Sequence, residues 1–410
     1  MSKVLNFPKQ NNVGVAVDVG TTTIGISCVD LYSHEEIISY LFKNPQGRYG
    51  ADVITRIKTC IDDSGMLNTM SEMLTETIYK TLKTNLGQKY NNISDVCFSG
   101  NTTMLHILRG LSVEGLAAAP FNPVTLDLYQ SKRVFDVSDE NINEVNSNKT
   151  IKEIYLPGFS AFVGADILSG AAYLGMGKKE KYDLLIDLGT NGELLLINKD
   201  RGYATSTACG PVFDHGVIGA IYGSECIHGI AASLRSGIID KTGLIKGIFF
   251  DKGIELDNRI IIKQEHVRRF QMAKAAIYAG VLCLMEKAGI DYDDIGNVYI
   301  SGGLGFYMDV MDAFTTRLIP KELRGKITVS GNTSLLGAQM FIMAYEGNNK
   351  EDTGYQNTDN VINDHKDRKR EMLSRTDITE EYDGMRVRTE AFELADYDGF
   401  QDIYINSMNF

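Results

Sequence analysis

Tryptophan is absent from this 410-residue chain, proline occurs only seven times, and no two of its six cysteines stand in a C-x-x-C spacing. Zinc ribbons, thioredoxin-type sites and ferredoxin clusters all need closely spaced cysteines, so no local motif of that kind exists here. Cys28, Cys60, Cys97, Cys209, Cys226 and Cys283 are scattered, mostly among apolar or small residues where a buried free thiol is expected. No run of about 18 apolar residues is present, which excludes a membrane-spanning helix. The first ten residues lack the apolar core of a signal peptide, so a cytoplasmic protein is expected. Basic residues are in deficit, 41 against 53 acidic ones, and the net charge of -12 argues against a general nucleic-acid binder. Glycine, by contrast, is abundant at 40 residues, as suits a chain with many tight turns and close backbone approaches. The length predicts two domains, and a hydrophobic fraction of 43% is ample for ordinary cores.

One pattern occurs twice. Val15-Ala-Val-Asp18-Val-Gly20-Thr21-Thr22-Thr23 and Leu184-Leu-Ile-Asp187-Leu-Gly189-Thr190-Asn191-Gly-Glu193 each read apolar strand, Asp, apolar residue, Gly, Thr, polar residue, second strand. That is a β-hairpin whose turn offers backbone N–H groups and hydroxyls to a phosphate. Two such turns facing each other would hold one nucleotide between two related domains. A single loop of this type is often only a hairpin turn, whereas two copies with matching flanks point to an α/β fold of two duplicated domains around a nucleotide cleft.

Between and after these loops, 66–84 has apolar residues near helical spacing, and Val96-Cys-Phe98 is a short strand running into Ser99-Gly100-Asn101-Thr102 and a helix-permissive stretch. This again presents N–H groups at a helix N-terminus, although Asn101 and Thr102 could simply cap that helix. The polar stretch 135–154 reads as loop. Small residues over 161–175 predict a closely packed helix with Asp166 near its start. A convincing helix spans 264–287, and Val298-Tyr-Ile300 is a strand ending in Ser301-Gly302-Gly303-Leu-Gly305. Residues 347–390 read as a polar linker or arm, and apolar residues return in 391–410, which is expected to dock back on the body. The expected domains are thus 1–178 and 179–346, each with one phosphate loop.

Phosphoryl chemistry needs donors on the phosphate oxygens, a divalent metal, and a carboxylate to hold that metal or orient water. Gly20 and Gly189 let the backbone approach the phosphates, while Thr21, Thr22, Thr23, Thr190 and Asn191 supply donors. Asp18 and Asp187 sit at strand ends beside them. A carboxylate next to a triphosphate is repelled unless a cation lies between, so Mg2+ held by Asp18 and Asp187 is implied. Asp166 is the candidate for orienting the attacking water, with helix capping as its rival role. Gly302, Gly303 and Gly305 suit a flat base or ribose lying on the backbone. The histidines His106, His215 and His228 stand alone and are poor candidates for a catalytic base, and Cys209 and Cys226 are poor candidates for a redox or metal role.

The order of these elements resembles the acetate and sugar kinase, heat-shock chaperone and actin superfamily, which has RNase H-like domains and binds ATP. More closely, Asp18-Val-Gly-Thr-Thr-Thr, Gly100-Asn-Thr-Thr-Met, Gly164-Ala-Asp, Asp187-Leu-Gly-Thr-Asn-Gly-Glu, Ala208-Cys-Gly-Pro, Gln271-Met-Ala-Lys-Ala-Ala-Ile and Gly331-Asn-Thr-Ser-Leu-Leu-Gly-Ala together look like the ATPase domain of reductive activators of corrinoid proteins. The resemblance spans nearly the whole chain and is poorest over 347–390. It implies ATP hydrolysis coupled to reduction of a cobalamin cofactor from Co(II) to Co(I) on a corrinoid protein, and a homodimer. The family typically carries an iron–sulfur domain at its N-terminus; here the first phosphate strand begins near the start and no cysteine cluster occurs. The expectation is therefore an electron supplied by a separate iron–sulfur protein and no iron–sulfur cluster in this chain. The alternatives are a small-molecule kinase of the same fold, a nucleotide-dependent regulatory protein, or a cluster shared across a dimer by Cys209 and Cys226.

Overall fold

The computed structural model describes residues 12–135, 149–209, 212, 223–256, 260–303, 308–347 and 375–410. Gly305, His215 and most of the glycine-spaced segment after Cys209 lie outside them.

The first half opens with β1 (Val13–Val19), β2 (Thr23–Asp30) and β3 (Glu36–Lys43), an antiparallel meander. Helices α1 (Val53–Asp62) and α2 (Met66–Leu86) lead to β4 (Ile93–Gly100), which lies parallel to β1. Then come α3 (Thr102–Leu108), β5 (Tyr129–Phe135), β6 (Lys149–Tyr155) and α4 (Ala165–Leu174). The second half repeats the plan with β7 (Tyr182–Leu188), β8 (Asn191–Ile197) and β9 (Gly202–Ala208). After α5 (Gly223–Arg235), α6 (Phe249–Lys252), the ribbon β10 (Ile254–Leu256) and β11 (Ile260–Ile262), and α7 (Gln264–Ala288), it continues with β12 (Ile295–Ser301), α8 (Val310–Thr315), β13 (Ile327–Gly331) and α9 (Thr333–Gly347). The chain ends in α10 (Arg375–Arg388), β14 (Thr389–Ala391) and α11 (Phe400–Asn406).

The two sheets run β3-β2-β1-β4-β6-β5 and β13-β12-β7-β8-β9-β14. Without β5 and β14 they share one order, and β12 lies parallel to β7 as β4 lies to β1. This is the duplicated RNase H-like, actin-like arrangement that the repeated loops lead one to expect.

Side-chain alternation explains how the layers stack. Leu185 and Leu195 face a core shared with β1, β4, α4 and α9, whereas Leu184, Ile186, Leu194 and Leu196 face a second core under α5 and α7. On α2, Met70, Leu74, Ile78 and Leu82 recur every fourth residue and are fully buried; each contributes roughly 1.5–3 kcal/mol of burial. Helix α4 is buried almost all round, so it must lie between layers rather than on a surface. Its small residues let α9 approach closely: a Cβ on Gly170 would sit 2.5 Å from Thr333 Oγ1, and one on Gly337 would overlap the Ser169 carbonyl.

Three features depart from the sequence reading. Residues 149–155 form strand β6, paired with β4 and β5, where loop was expected. Within the polar stretch 347–390, residues 375–388 form α10, which buries Ile378, Tyr382 and Met385 against α9 and α4. Helix α9 follows the second sheet in the chain yet packs on β1, β4 and α4. The C-terminal residues do pack on the body: α11 lies along α7, and Lys274 Nζ donates to the carbonyls of Ser407 and Asn409. Among the described residues no helix is long and apolar enough to cross a membrane.

Candidate functional site between the two loops

Both expected phosphate loops are turns between the first two strands of their sheets, and they meet. Thr22 Oγ1 lies 3.0 Å from Thr190 Oγ1 across the two halves. Loop one is held from below. Asn44 Nδ2 donates to the Gly20 carbonyl at 2.9 Å, and Arg56 Nη2 donates to the Thr21 carbonyl at 2.6 Å. Arg56 is 1% exposed, and burial pulls its guanidinium down to about 10. Gly20 is required by the turn, because a Cβ there would overlap the Thr23 carbonyl. Gly189 has no such internal demand; its nearest neighbour would be Asn191 O at 3.6 Å, so the missing side chain leaves the loop open.

The carboxylates converge beneath these loops. Asp18 Oδ2 accepts from Asn332 Nδ2 at 2.8 Å and Oδ1 from Ser334 Oγ at 2.7 Å. Burial raises its pKa, and those two donors oppose the rise. Asp187 Oδ2 accepts from Ser301 Oγ at 2.6 Å. Burial pushes Asp187 up to about 6, with the Asp18 charge adding to it against Ser301. Asp166 is pushed up to about 7, first by burial and then by the charges of Asp187 and Asp18. The cap of α4 is Gly164, not Asp166, whose Oδ1 instead accepts from the Ile167 N–H at 2.9 Å. So Asp166 stands in the first turn of α4, within electrostatic reach of Asp18 and Asp187, without being its cap.

Asn101 does cap: its Oδ1 accepts from the Thr103 N–H at 3.0 Å, and its backbone lies against Gly164 at the head of α4. Gly302 adopts φ +89, and a Cβ there would come within 2.5 Å of Leu188 O and 2.7 Å of Asp187 Oδ1. Its glycine is thus needed to let the ends of β12 and β7 meet at Asp187. A Cβ on Gly303 would meet nothing within 4 Å.

Glu193 was not singled out from sequence. It is 6% exposed and stands directly opposite Asp187 in the β7–β8 register. Burial, then Asp166 and Asp187, push it well above the usual carboxylate range. Its place in the second hairpin was the available signal. Arg56 carried none, being one basic residue in an amphipathic helix. Ser301 and Ser99 carried a weak one, a repeated Ser-Gly at a strand end.

This donor set fits a hydrated divalent ion. Among the described residues no three carboxylate, histidine or cysteine side chains form a ready metal cage. Magnesium typically keeps several waters and takes one or two carboxylates plus phosphate oxygens, so Asp18 and Asp187 are the side chains here that could hold it. The cysteines offer little: all six are buried and outside any disulfide, and burial pushes Cys226 up to about 12.

Comparison with known proteins gives the context. Residues 13–179 match the model of the RACo middle region, and residues 181–220 and 216–363 match the C-terminal domain of RACo, the ASKHA domain. The "Corrinoid activation enzyme RamQ" of Eubacterium limosum is 30% identical over 84% of this chain and 67% of its own length. The "[Co(II) methylated amine-specific corrinoid protein] reductase" of Methanosarcina barkeri is 23% identical over 80% of this chain and 70% of its own. Among solved structures, a "Reductive activator for corrinoid, iron-sulfur protein" superposes with a TM-score of 0.79 at 23% identity, covering 98% of this chain and 67% of that one. The chain belongs to the RACo family, carrying its middle region followed by its actin-like ASKHA domain.

Proposed function

We propose that the protein binds and hydrolyses ATP with Mg2+ in this cleft and couples that cycle to the reduction of a corrinoid protein from Co(II) to Co(I). The observation that carries the reading is the meeting of Thr22 and Thr190 above Asp18, Asp166 and Asp187, in a chain of the RACo family. Hydroxyls of both repeats meet there, and Asp18 and Asp187 lie close enough to Asp166 for their charges to act on it.

In this reading Thr22, Thr190 and the loop N–H groups bind phosphate oxygens, replacing the threonine–threonine contact. Asp18 and Asp187 would hold Mg2+, which supplies charge neutralisation at the β- and γ-phosphates. Asp166 orients the attacking water and takes its proton; a base with a pKa near 7 is suited to that task. Gly302 and Gly303 form the floor for the adenosine. Closure of the two halves on ATP and their reopening do mechanical work on the corrinoid partner. The reading takes the electron from a separate iron–sulfur protein.

The test is ATP hydrolysis with Mg2+, with and without a Co(II) corrinoid protein and with no small-molecule acceptor. Turnover that rises with the corrinoid protein supports the reading. Turnover that requires a small-molecule acceptor and ignores every corrinoid protein contradicts it and favours a kinase.

A further inference from the structure

The duplication is broken beside Asp18. In the second half Ser301 sits in register with Asp187 on the neighbouring parallel strand and donates to it directly. Ser99 is its counterpart, in register with Asp18. Yet Ser99 Oγ lies 2.9 Å from Ser334 Oγ and 2.8 Å from Ser169 Oγ, and it is Ser334 that reaches Asp18. Helix α9 has inserted a hydroxyl between the serine and the aspartate of the first repeat.

A second substitution accompanies it. Opposite Asp187 the hairpin carries Glu193, whereas opposite Asp18 it carries Gly25. A Cβ on Gly25 would lie 3.4 Å from Asn332 Nδ2, the atom that donates to Asp18 Oδ2. Asn332 thus lies in ordinary contact distance of the position where the second repeat has a carboxylate. Asn332 is itself fixed, because its Oδ1 accepts from the Leu335 N–H at 2.9 Å. The chain of hydroxyls is fully enclosed: Ser99 and Ser169 are 0% exposed and Ser334 3%. At its far end Ser169 Oγ lies 3.1 Å from the carbonyl of Asp166 and 3.3 Å from that of Ser334, acceptors that compete with Ser99 for its one proton.

We infer that Ser334 and Asn332, at the opening of α9, are positioning residues for Asp18. Resting on the Mg2+–ATP reading above, they fix the carboxylate of Asp18 as one of the two that would hold the metal. The physical reason is donor number. Two neutral donors occupy one lone pair on each Asp18 oxygen, fix the carboxylate plane, and leave about two of its four acceptor sites for an ion or its waters. Among the described residues Asp187 has one such donor, and it faces Glu193. Because α9 follows β13 of the second sheet while Asp18 belongs to the first, this grip also makes the Asp18 geometry depend on how α9 docks.

The experiment compares wild type, Ser334→Ala and the near-isosteric Ser334→Cys, whose S–H is a weak donor. A fluorescent ATP analogue is titrated without divalent metal, and then Mg2+ is titrated at fixed nucleotide, with Tm measured alongside. The expected result is metal-free affinity within about twofold of wild type and an Mg2+ requirement raised about tenfold in Ser334→Ala, less in Ser334→Cys. Equal loss of metal-free and metal-dependent binding would mean a merely structural serine, and an unchanged Mg2+ requirement would also overturn the inference. Wild type that binds no nucleotide with or without Mg2+ overturns the ATP reading and the inference together.

Discussion

Thr22 and Thr190 are separated by 168 positions in the chain and place their hydroxyl oxygens 3.0 Å apart. Each is the tip of a hairpin that its own half of the molecule builds from an almost wholly buried apolar strand, β1 or β7. The contact brings the two copies of a sequence repeat to a single place. If both hydroxyls bind one nucleotide, Thr22→Val and Thr190→Val should each weaken ATP binding about five- to tenfold, the loss of about one hydrogen bond. The double variant should deviate from additivity, by about 0.5 kcal/mol or more, because the two share a partner. Strict additivity measured by calorimetry would place the two loops on separate ligands.

The carboxylates predict a stability that runs against activity. Below about pH 4 the folded and unfolded chains both carry protons on Asp166 and Asp187. Between about 4 and 7 the unfolded aspartates, near 3.8, have released theirs, while the folded ones, pushed up to about 7 and about 6, retain them. The folded state then binds more protons, so this pair's contribution to stability falls as pH rises through that window. Asp166→Asn keeps the acceptor for the Ile167 N–H and removes the charge. At about pH 7.5 it should be more stable than wild type by roughly 1–3 kcal/mol, a gain that shrinks towards pH 4, while ATP hydrolysis is lost. A thermal melt showing Asp166→Asn less stable at neutral pH would contradict the account.

Arg56 tests the support beneath loop one. Arg56→Ala removes the donor to the Thr21 carbonyl and leaves a cavity under the turn. The expected cost is roughly 2–4 kcal/mol of stability, with nucleotide affinity falling by more than tenfold. Denaturant unfolding and nucleotide titration read the two effects separately. Normal affinity in a folded variant would show that loop one keeps its shape unaided.

Two glycines separate site effects from scaffold effects. At Gly302 a methyl group meets Leu188 O and the Asp187 carboxylate, and φ is +89, so Gly302→Ala should abolish hydrolysis and lower Tm as well. At Gly337 the methyl group meets the backbone of α4, so Gly337→Ala should cost about 1–3 kcal/mol by overpacking and lower expression of folded protein. The reverse ranking, with Gly302→Ala active and Gly337→Ala stable, would show that neither close approach matters.

What could be read from the residues followed the strength of local signals. The hairpins of β1 with β2 and β7 with β8 were legible because their strands are continuous apolar runs interrupted by glycine and threonine. The pair β5 and β6 was not, because Lys149–Tyr155 mixes charge into the strand. Glu153, only 3% exposed, is satisfied by Arg133, Tyr79 and Ser131 from other elements, which no local pattern announces. Helix α10 did carry a signal, Ile378, Tyr382 and Met385 at helical spacing, but it was diluted by a charged sequence. At the site, the aspartates and threonines stood out through their repetition. Their supports, Arg56, Asn332 and Ser334, belong to distant segments that only the topology of α1 and α9 brings to loop one and Asp18.

The central claim is that ATP turnover in this cleft drives reduction of a corrinoid protein. It is tested most directly by mixing the oxygen-free protein with a Co(II) corrinoid protein and a low-potential iron–sulfur electron donor, then following the corrinoid absorption spectrum as Mg2+–ATP is added. The account predicts that Co(I) accumulates with ATP, that none accumulates without it, and that Asp166→Asn removes the effect. Co(I) forming to the same extent without ATP, or none forming while ATP is still hydrolysed, would contradict it.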